Sequence, residues 1–205
     1  MTMRLVLASQ SPARLTVLRN AGVIPIVQVS YVDEDALTHE NLEATPAEIC
    51  LLLVRAKAEA LAPQFVGQDV MVLGCDSVFD VDGIAYGKPG SAEQAKARWN
   101  VMMGRSGILR TGHWLIDPNS GRAQGDVADT TVHMGTISDA EMDAYLATGE
   151  PFQVAGGFTL DALGGAFVDG VEGDPSNVVG LSLPTLRRLL ADFGITWTDL
   201  WEPRR

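Results

Sequence analysis

The stretch Leu5 to Leu18, LVLASQSPARLTVL, constrains the fold more than any other part of the chain. An apolar run from Leu5 to Ala8 breaks into Ser9-Gln10-Ser11-Pro12, after which Leu15 and Leu18 recur at helical spacing. This order predicts a strand, a polar loop and a helix. Ser11 is a favoured N-cap, and Pro12 suits the first helical position, where its missing N–H would have been unpaired in any case. A helix start presents free N–H groups and a partial positive charge. With two hydroxyls and Arg14 beside it, the turn is a candidate phosphate cradle. An ordinary capped helix that binds nothing fits the same residues.

The second informative stretch is Val70 to Asp76, a continuous apolar run that ends in a carboxylate. It predicts a buried central strand with Asp76 at its end, where a rigid element meets solvent. A turn-capping aspartate before Ser77 is the plainer reading. Asp82-Gly83 between Val78–Val81 and Ile84–Tyr86 predicts a hairpin, whose simple register would bring Lys88 close to Asp76.

The remaining elements follow from local signals. Ile24 to Val29 reads as a strand beside Pro25, and the acidic, weakly periodic segment Tyr31 to Thr45 as an exposed loop over a cleft. Capping boxes at Thr45/Glu48 and Ser138/Glu141 open helices that close at Pro63 and Gly149, and Ser91 to Met103 forms another. Ile108–Asp117, Arg122–Met134 and Phe167–Glu172 read as strands, Gly173 to Ser176 as a turn, and Leu183–Phe193 as a last amphipathic helix. Gly156-Gly157 and Gly164-Gly165 predict tight turns. By spacing alone Lys57 is a solvated side chain, and His113 and His133 are structural. Early alternation of strand and helix followed by hairpins predicts an α/β protein with a mixed sheet.

Composition excludes several classes. The 205 residues, 46% hydrophobic and 20% charged, suit one globular unit and read as a soluble, cytoplasmic protein with no membrane partner. A net charge of −11 argues against nucleic-acid binding, which depends on basic residues neutralising phosphates. A small polyphosphate is still compatible, since a few cations in one cleft dominate the local field. Cys50 and Cys75 are isolated and on apolar segments, which favours reduced thiols over a disulfide or a zinc site.

LASQSPAR, Val32-Asp33-Glu34, Gly74-Cys75-Asp76-Ser77 and Gly87-Lys88-Pro89, followed by EPFQVAGGFTLDALGGAFV and EGDPSNVVGLSLPTL, occur in the order and spacing of one family. From about Leu5 to Phe193 the chain resembles the Maf family of nucleotide pyrophosphatases. The resemblance implies a single Maf-like domain over residues 1–205: a mixed, strongly curved sheet in two lobes, as in inosine-triphosphatase-like folds, with a nucleotide cleft between them. It implies hydrolysis of a nucleoside triphosphate to a monophosphate and pyrophosphate, with Mg or Mn as cofactor. It assigns Asp76 as catalytic base or metal-linked water positioner. Ser9, Arg14, Lys57 and Lys88 become phosphate ligands, and Glu34 joins Asp76 as a metal ligand.

Two departures bear on the base. Many members carry two arginines after Ser-Pro where this chain has Ala13 and Arg14. Asp161 stands where the pyrimidine-preferring branch carries glutamine and the 7-methylguanine branch glutamate. The reading leaves a homodimer open. Its rival is a non-catalytic nucleotide-binding regulator of cell division, since the family was first associated with septum formation.

Overall fold

The computed structural model describes residues 3–201. In chain order the elements are β1 (Arg4–Ala8), α1 (Pro12–Asn20), β2 (Ile26–Val27), α2 (Glu34–Glu40), α3 (Pro46–Leu61), β3 (Val70–Val81) and β4 (Ile84–Tyr86). There follow α4 (Ala92–Met102), β5 (Ser106–Ile116), β6 (Ala123–Met134), α5 (Asp139–Ala147), β7 (Val168–Glu172), α6 (Pro175–Val179) and α7 (Leu183–Asp192). The strands form one mixed sheet in the order β2-β1-β3-β5-β6-β7, with β4 paired to β3. β1 is parallel to β2 and β3, joined by helical crossovers, while β3, β5, β6 and β7 run antiparallel. The alternation early and the hairpins later therefore have the consequence expected of them.

β3 differs from its expected form in a way that creates the site. It does not stop at Asp76 but continues to Val81, so Asp76 lies in mid-strand and caps no turn. Its edge against β5 is paired throughout, with Asp76 opposite Gly112. On its other edge β1 ends at the Ala8–Gly74 pair and β4 begins at the Phe79–Tyr86 pair. Cys75 to Val78 thus lie on one supported edge and one edge open to whatever enters. The β3–β4 turn has Asp82 at φ 53° and Gly83 at φ 82°, the left-handed pair that a two-residue hairpin requires.

The core changes along the same strand. Val70 and Val72 pack under α3 with Ala58, Leu61 and Phe65. Met71, Leu73 and Cys75 face the opposite side, covered by Leu18 of α1 and by Leu186, Leu189 and Leu190 of α7. Each of those leucines is essentially fully buried, worth roughly 1.5–3 kcal/mol. Beyond Asp76, Phe79 and Val81 join Trp99, Met142, Tyr145 and Phe158.

Three local expectations are corrected. The segment 31–45 is not all loop: Asp33 caps α2, its Oδ1 accepting the Ala36 N–H at 2.9 Å. That helix buries no residue, so it has no apolar periodicity to read. The second strand shrinks to Ile26–Val27, a short edge pairing after Pro25. Gly173 to Ser176 is not a plain turn, because Asp174 caps α6 through the Ser176 N–H.

Candidate active site

Asp76 is approached from both faces of the sheet. α3 lies against the first face at two glycines. A Cβ on Gly74 would fall 1.9 Å from the Val54 carbonyl oxygen, and one on Gly112 would fall 2.9 Å from that of Cys50. This close approach brings Lys57, one turn beyond Val54, over the carboxylate. Lys57 is only 5% exposed, and its Nζ lies 2.9 Å from Asp76 Oδ1 and 2.9 Å from Glu34 Oε2. A buried ammonium is tolerated only when paired, and here two carboxylates share it.

Arg14 comes from the second face, fixed at every nitrogen. Nε donates to Gly180 O at 2.7 Å, Nη1 to Ser9 Oγ at 2.9 Å and Nη2 to Ser77 Oγ at 3.1 Å. Nη2 also stands 3.7 Å from Asp76 Oδ1. Both cations thus address Oδ1, and Oδ2 carries no hydrogen bond or ion pair among the described residues. The β1–α1 turn has the predicted form, with Ser11 capping α1 by accepting the Arg14 N–H.

Two adjoining cavities meet at Asp76, Arg14, Ser11 and Lys88. One, about 540 Å³, is lined by Ser9, Glu34 and Lys57 and is mainly polar. The other, about 570 Å³, is lined by Phe158, Leu160 and Val178, together with Ala13 and Asp161. Ser9, Arg14, Glu34, Lys57 and Asp76 form one contact network. Lys88, Ala13 and Asp161 border the cavities outside it. Lys88 and Asp161 are exposed and make no hydrogen bond or ion pair among the described residues. Asp161 does not cap the turn at Gly164, whose N–H goes to Glu150 and Thr159 instead.

Sequence reasoning gave no role to Ser77 or Gly180. Ser77 Oγ lies 2.9 Å from Thr111 Oγ1, so it is held while it receives Arg14. Gly180 adopts φ +121°, a conformation that favours glycine, and so turns its carbonyl to Arg14. Asn177 fixes this turn: its side-chain amide donates to Leu109 O and Ala128 O, and its carbonyl accepts the Gly180 N–H. The only local signal was a glycine shortly after a capped turn. Its partner lies far off in the sequence.

Neither thiol supplies a nucleophile. Burial pushes Cys50 up to about 12, with the negative charge of Asp76 adding to it, and burial pushes Cys75 up to about 11 against the pull of Arg14. Both stay protonated near neutrality, as free buried cysteines. His113 is structural, as expected. Its Nδ1–H donates to Thr111 O at 3.0 Å and its Nε2 accepts the Ser182 N–H at 3.0 Å, an arrangement that needs the neutral ring.

The residues present also fit a divalent cation. Among the described residues no three His, Cys, Asp or Glu side chains gather as a self-sufficient metal site. Lys57 takes one oxygen each of Asp76 and Glu34, which leaves Asp76 Oδ2 and Glu34 Oε1 without a partner among the described residues. One or two carboxylates beside a polyphosphate site are the protein donors that magnesium uses when phosphates and water complete its shell.

The mixed sheet thus leaves a gap along one edge of its central strand, with a carboxylate in the gap and cations around it. The chain belongs to the Maf-like protein family, whose profile matches residues 4–193. A nucleoside triphosphate pyrophosphatase of Streptomyces coelicolor is 54% identical over 200 residues, which cover 98% of this chain and 95% of that protein. One of Rhodococcus opacus is 51% identical over 203 residues, covering 96% and 95%. Among solved structures, a HAM1 protein from Coxiella burnetii gives a loose likeness, with TM-score 0.37 and 13% identity over 64% of this chain and 73% of that one. No described helix is long and apolar enough to cross a membrane.

Proposed function

We propose that this chain hydrolyses nucleoside triphosphates between the α and β phosphates, releasing a nucleoside monophosphate and pyrophosphate. The observation that carries the reading is Asp76 itself, with one oxygen held by Lys57 and Arg14 and the other facing the cleft unpaired. In this reading Asp76 orients the attacking water through Oδ2, as the base that takes its proton or, were Oδ2 to hold a metal, as the positioner of a metal-linked water whose proton leaves to solvent. The water oxygen bonds to the α phosphorus, and the α–β bridging oxygen leaves with pyrophosphate. Ser9, Arg14, Lys57 and Lys88 hold the phosphates; Lys88, with no partner of its own among the described residues, is the cation freest to engage them. The mixed cavity beside Asp161 receives the nucleoside.

Magnesium or manganese, held by Asp76 and Glu34 together with phosphate oxygens, would neutralise charge on the triphosphate. The role is a cytoplasmic, house-cleaning one that removes modified as well as ordinary triphosphates. Asp161 accepts hydrogen bonds and, when ionised, donates none, which favours a guanine-like base.

The test incubates the protein with GTP, 7-methyl-GTP, UTP and dTTP, with Mg, with Mn and with a chelator, and separates the phosphate products. Pyrophosphate as first product, lost on chelation, is the expected result. Orthophosphate as first product would overturn the reaction, and turnover unaffected by the chelator would overturn the metal. Lys88→Ala should lose about tenfold in kcat/KM, the worth of one charge-assisted contact. Lys96→Ala should change little, because Lys96 pairs with Asp143 outside the cleft.

A further inference from the structure

Glu150 lines neither cavity, yet it gathers more donors than any carboxylate in the cleft. It begins a short 3-10 turn, Glu150–Gln153, whose last residue borders the mixed cavity. Its Oε1 accepts the Tyr145 hydroxyl at 3.2 Å, the Gly164 N–H at 3.0 Å and the Thr159 hydroxyl. Its Oε2 accepts the Leu163 N–H at 3.3 Å. Thr159 and Leu163–Gly164 are the two ends of one loop, and between them lie Leu160 and Asp161, both facing the mixed cavity. One carboxylate therefore ties down both ends of the segment that presents Asp161.

The surroundings leave this loop little slack. A Cβ on Gly164 would fall 2.4 Å from the Tyr145 hydroxyl oxygen, and one on Gly165 would fall 2.5 Å from Leu160 O. Burial raises the Glu150 carboxyl, but the hydrogen bonds from Thr159, Gly164 and Leu163 outweigh it and hold the group below the usual glutamate range. It is thus ionised near neutrality, the state that accepts hydrogen bonds most strongly.

We propose that Glu150 is a positioning residue: by clamping the 159–164 loop it fixes where Asp161 meets the base, and so sets discrimination between nucleotides and not the rate of the phosphate chemistry. The inference rests on the reaction proposed above. Because Asp76 and its cations stand on other elements, loosening this loop should leave them in place.

The experiment compares wild type, Glu150→Gln, Glu150→Ala and Thr159→Val. It measures kcat and KM for the same four triphosphates, together with amide hydrogen exchange at Leu163 and Gly164. In Glu150→Ala the ratio of kcat/KM between the best and worst base should move toward unity by about tenfold or more, carried by KM, with kcat for the best substrate within about threefold. Exchange at both amides should quicken by about tenfold or more. Glu150→Gln keeps one carbonyl acceptor and should restore most of the discrimination; Thr159→Val, which removes one donor to Glu150 and the hydroxyl that accepts the Gly164 N–H, while Glu150 keeps its other three donors, should fall between. If the alanine variant does not fold, the other two carry the comparison. Ratios within twofold of wild type while the amides exchange faster would overturn the inference, as would an equal loss on all four substrates or a wild type indifferent to the base. A wild type that hydrolyses none of the four overturns the proposed reaction, and the exchange data still show whether Glu150 clamps the loop.

Discussion

Asp76 and Asp80 stand on the same strand, two pleats apart and facing the same side, and each meets a cation that a second carboxylate shares. Lys57 joins Asp76 to Glu34, and Arg110 joins Asp80 to Asp129. The difference lies in what each aspartate has left over. Asp80 spends Oδ1 on the Gly83 N–H at 2.8 Å and Oδ2 on Arg110 Nε at 3.0 Å. Asp76 receives both of its cations on Oδ1 and keeps Oδ2 for the cleft. The cause is topological: β4 folds back beside Asp80 and closes the edge that stays open beside Asp76. Two like residues in one strand become a structural tie and a candidate base because one has a neighbouring strand and the other does not.

The strongest way to break this comparison is to neutralise the free carboxylate. Asp76→Asn keeps the shape and removes the charge, and should lower kcat by roughly 10² to 10⁴ while the protein stays folded. Turnover within tenfold of wild type would leave Asp76 a structural residue like Asp80.

A second effect comes from the layer beneath Asp76. His113 pairs with Cys75 across the sheet, and burial first, then the charge of Arg14, lowers its pKa to about 4. In the unfolded chain it titrates near 6.5, so between pH 6.5 and 4 the unfolded state binds a proton that the folded state refuses. Stability therefore rises with pH through that window, and acidification from 6.5 to 4 should remove roughly 3 kcal/mol on this account. Urea titrations at several pH values should show a slope in this window that His113→Gln flattens. Equal slopes would remove His113 from the account of acid sensitivity.

Asp80→Asn is the mirror of the Asp76 variant. Arg110 keeps Asp129, so the loss should be moderate, about 2 kcal/mol or about 5 °C in Tm, with kcat within about threefold. A loss of activity larger than the loss of stability would show that the two aspartates are not separable.

How much of this was legible depends on how far each interaction reaches along the chain. The capping boxes at Thr45/Glu48 and Ser138/Glu141 and the Asp82-Gly83 turn involve near neighbours, and all three have the predicted form. The burial of Lys57 was not legible, because it follows from α3 settling on Gly74 and Gly112, which lie far from it in sequence. Asp76 is conspicuous in the sequence because it ends an apolar run, yet its position comes from the ending of β1 beside a strand that continues. Ser77, Gly180 and Glu150 are not legible because a hydroxyl, a glycine and a surface-type acid have no local signature until their partners are known.

The smallest expected effect concerns the far end of the cleft, where Asp161 and Ala13 line the same cavity. Unlike Asp76 and Asp80, Asp161 has neither a cation nor an N–H donor among the described residues, so its whole carboxylate is open to a ligand. An ionised carboxylate only accepts hydrogen bonds, whereas glutamine accepts and donates. Guanine offers adjacent N–H donors on its pairing edge, and 7-methylation adds positive charge, so both should be favoured over uracil and thymine. Asp161→Gln should shift kcat/KM for GTP and 7-methyl-GTP relative to UTP and dTTP by about tenfold toward the pyrimidines, the cost of one mismatched polar contact. The chemistry at Asp76 should be untouched, so kcat for the preferred substrate should fall by less than the ratio moves. If all four rates fell together, Asp161 would be acting on the fold, and the guanine-like preference would lose its only support.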